Sequence, residues 1–447
     1  MKTRVFITLV LLAPALFGQE VDFLPSTRHI SPSEAVALAV SNNLGLESSR
    51  VSITTKKRAM DTRWNVFVPT IDASATLSRA NEATAGMSLS PTMSTPETHP
   101  WIFSAGLSFS LNFNFASFQG MKSTILDYEG GLISYEKAKA QLERDVRKAY
   151  YQMLLLQENI ALLHENARSA EQRVQQARAN YQAGLEPELT LLQAQVSAEN
   201  QKPTITQAEN GLKSSVAQFA MLLGLPYDTV FEFEPVSTDL SFIPLDLQNL
   251  ISQAAEGKPD IKELQHQLLT LQQTRKKTAI QLYSPTLSLS WGLTPSIPFA
   301  DPNINGEWSD SGRFSLTLSF RLNSLFPFDA NSQSLKSLDD NIRNLNLNLG
   351  QAMRGAEVEV YNTVLSLQEI QTNIEAQSHT LALAQKSYDM TSQAYRSGFS
   401  DLLEVQNAEL QLRQAQISTL EQRFKYLSGL IDLEYSTGMP FGVLSGL

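Results

Sequence analysis

Residues 101–115 alternate without a break between large apolar and small polar side chains. Trp101, Phe103, Ala105, Leu107, Phe109, Leu111, Phe113 and Phe115 fall on one face. The other face carries Ser104, Gly106, Ser108, Ser110, Asn112 and Asn114, with Ile102 its one large apolar member. Period two predicts a β-strand. Three shorter runs behave alike: Ile71 to Ser78, Leu287 to Leu293 and Phe314 to Leu322. Polar faces of Ser, Thr and Asn suit a wet lumen better than a salt-laced soluble surface, although the edge of a soluble sandwich is the plainer alternative. Strands of roughly ten residues match tilted membrane-spanning strands, and Trp101 and Trp291 suit interfacial girdles. The strands predict two hairpins, 70–118 and 285–325, around loops at 81–100 and 296–312 rich in Pro, Asn, Ser, Thr, Asp and Gly. Four strands cannot close a barrel, and open edges in lipid leave backbone groups unpaired. The chain is therefore expected to oligomerise.

Elsewhere the period is helical. Leu142, Val146, Ala149, Met153, Leu156 and Ile160 open a seam that continues in steps of four and three to Tyr181. Ala356, Val360, Thr363, Leu367, Ile370 and Ile374 open a second that runs to Tyr395. Such seams predict coiled-coil packing. With no Pro from Lys122 to Tyr181, the first helix reaches about 90 Å at 1.5 Å per residue, deeper than any ordinary core. Turns at Gly184 and Gly398 send the chain back as a return helix in each half. Pro203 interrupts the first return where Ile417 stands in the second, so a kink is expected in the first alone. Residues 226–245, with Pro226, Pro235 and Pro244, read as a non-helical link.

The pattern occurs twice. Tyr181-Gln-Ala-Gly184 answers Tyr395-Arg-Ser-Gly398, and Gly224-Leu-Pro226 answers Gly438-Met-Pro440, both at an offset of 214 residues. Asn43 to Leu46 answers Lys258 to Ile261 at 215, and Pro69-Thr70 answers Pro285-Thr286 at 216. A long-period duplication sets the architecture before any local motif does. It predicts repeats over 19–240 and 241–447, each a helix, a β-hairpin, a very long helix and a return helix.

Composition narrows the function. Lys2 and Arg4 ahead of the apolar run Val5 to Phe17 predict a secretory leader over 1–18. The 447 residues contain no cysteine, which removes disulfides and thiolate chemistry from consideration. A formal net charge of −10 points away from nucleic acid. His29, His99, His164, His266 and His379 are scattered without metal-ligand spacing. The three in helical stretches, His164, His266 and His379, are expected to be solvated. With no nucleophile motif and no phosphate-binding glycine loop, the chain reads as no enzyme, with no metal or other cofactor. Met87 and Met93 are read as ordinary loop residues.

Together these residues resemble the TolC-like outer-membrane efflux protein family. The resemblance rests on Ser33-Glu-Ala-Val with Asn42-Asn43, the Pro-Thr pairs before the strands, the two Tyr-x-x-Gly tips and the Gly-x-Pro ends. It implies an α+β membrane protein whose long helical coiled-coil barrel carries a β-barrel shared between protomers, four strands per chain and twelve per trimer. The implied function is an outer-membrane exit duct of a tripartite efflux or type I secretion system, with its helical part in the periplasm. The implied partners are a periplasmic adaptor, an inner-membrane pump and outer-membrane lipid. Adaptor-binding tips map to Ala183, Gly184 and Leu185 and to Ser397, Gly398 and Phe399. A gate maps to Glu404 and Asn407, with Thr190 and Gln193 at the first-copy positions. Ser400 stands where relatives can place a locking Arg, leaving Tyr395, Arg396 and Asp401 as candidate lock residues. The rival reading is a trimeric autotransporter-type adhesin, which also shares a barrel, but there the strands sit together at the C-terminus.

Overall fold

The computed structural model describes residues 28–79, 101–234, 242–299, 308–309, 311–326 and 328–444. The leader expected at 1–18, the loop at 81–100 with its Met87, Met93 and His99, and residues 235–241 of the link lie outside the described residues.

The first half begins with β1 (Arg28–Ile30), α1 (Pro32–Asn42) and α2 (Leu44–Asp61). Ser31 opens α1 with a capping box. Its hydroxyl accepts from the Glu34 N–H, and the Glu34 carboxylate accepts from the Ser31 N–H at 2.9 Å. A 3-10 turn at Arg63–Phe67 leads into β2 (Thr70–Arg79) and β3 (Trp101–Asn114). Then come α3 (Ala116–Gln182), α4 (Glu188–Glu199), α5 (Gln201–Leu222) and β4 (Phe231–Phe233). The second half runs α6 (Leu247–Gly257), α7 (Pro259–Tyr283), β5 (Thr286–Leu293), β6 (Ser296–Phe299), β7 (Gly312–Ser319), α8 (Ala330–Arg396) and α9 (Leu402–Thr437).

The single opening helix expected in each half is two helices. Asn43 closes α1 and caps α2, with its side chain accepting from the Leu46 N–H. In the second half Lys258 is pushed to an extended ψ of 125° by the proline that follows it, and Pro259 starts α7. The residues just beyond each break, Leu46 and Ile261, are both buried anchors.

The four long strands form one antiparallel sheet in the order β2-β3-β5-β7. Its register keeps the two faces apart. Phe109 pairs with Ile71 and Trp291, Leu111 with Leu289, and Leu289 with Leu316. On the other face Ser110 pairs with Thr70 and Ser290, and Ser290 with Ser315. Among the described residues nothing covers the apolar face: Leu316 is 61% exposed and Leu318 70%. Residues 296–312 are not simply a loop, since β6 pairs with β3 through Phe103↔Ile297. That segment was hidden because Pro298 interrupts any alternating pattern.

The helices are longer than the sequence required. Both α3 and α8 contain 67 residues, about 100 Å at 1.5 Å per residue. The predicted seams are where packing occurs: Leu142, Val146, Met153, Leu163, Ala170 and Ala177 are buried on α3, and Ala356, Val360, Leu367, Ile374 and Tyr395 on α8. The return helices differ as expected. Asn200 breaks the first, with Pro203 at the third position of α5, whereas α9 runs unbroken for 36 residues. No helix among the described residues is long and apolar enough to cross a membrane.

Between sheet and tips lies a thicker zone. There β1 pairs in parallel with β4, a pair of three-residue strands. Tyr150 of α3 closes it by donating a hydrogen bond shared between the Ile30 and Glu234 carbonyls, at 2.9 and 3.0 Å. Each return helix ends here on a left-handed glycine. Gly224 (φ 70°) seats against the backbone of Asn42, and Gly438 (φ 70°) against Gly257. Ion pairs tie the halves together: Lys137 reaches Asp260 at 2.7 Å and Glu263 at 2.8 Å, and Lys148 reaches Asp432 at 2.6 Å.

The helical histidines are not uniformly solvated. His266 is half-buried, with Nε2 2.7 Å from the Leu126 carbonyl of α3. Gly130 makes the approach possible, because a Cβ there would stand 2.9 Å from the imidazole. His164 lies 3.2 Å from Glu209.

Candidate functional site at the hairpin tips

The two tips are built alike. At the first, the Gly184 N–H donates to the Tyr181 carbonyl at 3.0 Å and the Leu185 N–H to Asn180 at 2.9 Å. At the second, Gly398 donates to Tyr395 at 3.0 Å and Phe399 to Ala394 at 2.9 Å. The glycines have φ of 75° and 78°, the left-handed conformation that ends a helix while satisfying its last carbonyls. Ala183 and Ser397 are the closing residues of α3 and α8. The next side chains point away from the chain: Leu185 is 75% exposed and Phe399 89%. Nothing approaches within 4 Å of a Cβ placed on either glycine. The Ala183-Gly184-Leu185 and Ser397-Gly398-Phe399 triplets therefore sit at open ends, each presenting one bulky apolar residue.

Behind the turns the hairpins pack on each other. Ala177, Ala194, Tyr395, Leu402 and Val405 form a buried cluster drawn from α3, α4, α8 and α9. Polar links cross it. The Tyr395 hydroxyl donates to Glu186 Oε2 at 3.4 Å, and Asn180 Nδ2 donates to the other Glu186 oxygen at 3.2 Å. Deeper in, Arg173 Nη2 donates to Glu409 Oε2 at 2.5 Å, with both side chains largely buried. Burial pushes the Tyr395 phenol up to about 12, and the neighbouring Glu186 carboxylate adds to the rise.

The acidic positions sit differently. Asp401 caps α9 by accepting from the Glu404 N–H at 2.8 Å, and the Ser400 hydroxyl donates to the Glu404 carboxylate. Glu404 thus lies in the first turn of a helix, where its charge meets the positive end of the helix dipole. Asn407 and Gln193 are exposed on the return helices, Thr190 is half-buried at the start of α4, and Arg396 is exposed at the end of α8. Of the proposed lock residues, Tyr395 makes a link between the two hairpins of the chain.

Glu186, Arg173 and Glu409 were not singled out from the sequence. No motif marks them, and the repeat does not copy them. Glu186 stands opposite Ser400, Arg173 opposite Ser387 and Glu409 opposite Gln195.

Paired helical hairpins built on helices of 67 residues, joined to a sheet with one apolar face and one polar face, define a membrane-anchored channel fold. The outer membrane efflux protein family matches the chain twice, over residues 36–225 and 250–439, and the chain belongs to that family. It is similar to Nodulation protein T of Rhizobium leguminosarum bv. trifolii, 19% identical over 68% of this chain, and spans 65% of that protein's length. It is similar to the pyoverdine export outer membrane protein OpmQ of Pseudomonas aeruginosa, 22% identical over 75% of this chain and 70% of OpmQ. Among solved structures, CusC superposes with a TM-score of 0.73 over 92% of each chain at 19% identity. The CmeC outer membrane channel of Campylobacter jejuni gives 0.72 over 91% of this chain and 85% of that one, at 17% identity. The chain is an outer-membrane protein of the efflux class, with a helical part extending into the periplasm.

Proposed function

We propose that three copies of this chain assemble into a passive exit duct for a tripartite efflux or type I secretion system. The observation that carries this reading is the sheet. Its edge strands β2 and β7 each have a partner on one side only among the described residues, while its apolar face is exposed. Such a sheet is stable in lipid only when its edges pair with other copies. Three copies of the four long strands give twelve, enough to leave a channel, whereas eight strands fill their own interior. The polar face then lines the passage. The open tips at Leu185 and Phe399 suit docking by a periplasmic adaptor that joins the duct to an inner-membrane pump. The tip cluster with Tyr395 and Glu186 suits a gate, and Glu404 and Asn407 add a polar ring outside it. The adhesin reading fits poorly, because α3, α4 and α5 separate the two pairs of strands and α8 and α9 follow the second. Mass measurement of the detergent-solubilised protein is expected to give a stable trimer. A stable monomer or dimer refutes the duct.

A further inference from the structure

Where the polar face of the sheet meets the helices, a cavity of about 580 Å³ opens. Three of its lining residues are cations from three separate segments: Arg63 from the 3-10 turn before β2, Lys277 from α7 and Arg321 from the turn after β7. Among the described residues no carboxylate lines it. This is unusual in a chain with a net charge of −10. The neighbouring cavity between α3 and α7 sets Lys56 against the carboxylates of Asp127 and Glu263.

The side of the sheet on which it lies follows from register. Asn114 and Thr286, both in its wall, are partners on β3 and β5 and continue the row Ser110↔Ser290 and Asn112↔Ser288. That row is the polar one. The apolar row, Phe113↔Leu287, faces the opposite way. The cavity therefore opens toward the passage and away from lipid.

The cations are arranged rather than scattered. The Lys277 stem lies across Gly120, where a Cβ would be 3.7 Å from its Cε. At that distance the stem is in ordinary van der Waals range of α3. Arg63 donates from Nη1 to the Met60 carbonyl at 2.8 Å, and its guanidinium lies 5.9 Å from the centre of the Trp64 ring. These contacts fix the arginine while leaving its other N–H groups for a ligand. Among the described residues neither Arg63 nor Lys277 has an ion-pair partner. Planar guanidinium donors match carboxylate oxygens in pairs. The Gln281 side chain and the Thr286 hydroxyl add neutral polar groups to the wall, the latter held in place by the Asn114 amide at 3.1 Å.

We propose that this cavity is an anion-binding site, and that the duct takes organic anions bearing carboxylate groups through a basic collar where barrel and helices join. The inference rests on the trimeric duct proposed above: three copies around one axis turn Arg63 and Lys277 of each chain into a ring of positive charge. Like charges around a narrow passage raise the local concentration of counter-ions and slow their exit.

The test uses the full-length protein in planar bilayers of phosphatidylcholine, with citrate as the probe. Citrate added on the barrel side is expected to reduce single-channel conductance. Arg63→Gln combined with Lys277→Gln should raise the half-blocking concentration by about tenfold or more, the ratio that losing a charged hydrogen bond implies, while Lys277→Arg should keep the block. Indifference of the parent channel to citrate, or equal block of the double variant, overturns the proposal. So does a block abolished by adding phosphatidylglycerol to the bilayer, which assigns the site to lipid headgroups. A stable monomer or dimer in detergent refutes the duct itself, a separate and recognisable failure.

Discussion

Four glycines with positive φ mark the turning points of the chain, and they are not equivalent. At Gly184 and Gly398 the turn is free, with nothing within 4 Å of an added Cβ. At Gly224 the same Cβ would meet the Asn42 carbonyl at 2.2 Å, and at Gly438 the Gly257 carbonyl at 2.2 Å. Gly184→Ala should therefore cost only the left-handed backbone penalty, about 1–2 kcal/mol. Gly224→Ala must also displace the break between α1 and α2 and should cost about 3 kcal/mol or more. Denaturant melts of the two variants in detergent should separate them in that order. Tyr395 offers a second check. Its folded-state pKa, raised to about 12 against an ordinary 10.0, favours the protonated phenol. The folded form then holds more protons than the unfolded one between those values, so its contribution is present below pH 10 and is lost as pH rises toward 12. Subtracting the alkaline melting profile of Tyr395→Phe from that of the parent should isolate this loss. Identical profiles would mean that neither burial nor the neighbouring Glu186 holds the phenol protonated in the folded state.

Among the elements, the long strands and helices were legible because their periods are long and strict. Fifteen residues of alternation from Trp101 to Phe115 leave no other reading. The elements that escaped notice are short. β1 and β4 have three residues each and β6 four, too few to show a period. At the tips, backbone turns were legible from Tyr-x-x-Gly, but the Arg173–Glu409 pair was not, since it depends on which helices become neighbours. The strand reading has a direct test. Leu316 pairs with Leu289 on the apolar face, and Thr317 pairs with Ser288 on the polar one. Leu316→Arg should destabilise the refolded protein by about 2–4 kcal/mol if the residue lies near the membrane midplane, whereas Thr317→Arg should be tolerated. Equal damage at both positions in a lipid refolding titration would contradict the barrel.

The whole molecule shows how a duplication can produce matched parts that then specialise. Ion pairs such as Lys137 with Asp260 and Glu263 join one half to the other and have no counterpart to mirror. Oligomeric state was legible only as a necessity, since sequence periodicity reveals that strand edges exist but not what pairs with them. The equal length of α3 and α8, 67 residues each, has a consequence for how such a chain can change over generations. Deleting one residue from one of these helices withdraws its tip by about 1.5 Å and swings it by about 100° relative to its twin. A compensating deletion in the other helix would have to arrive before the first was lost. Length variation should therefore collect where chain can be absorbed. The offset between halves records this: it is 215 at Asn43, 216 at Pro69, and 214 from Ala116 through Gly184 to Gly224. Gains and losses are confined to the stretch before and within the hairpins, while the rods have kept a common measure.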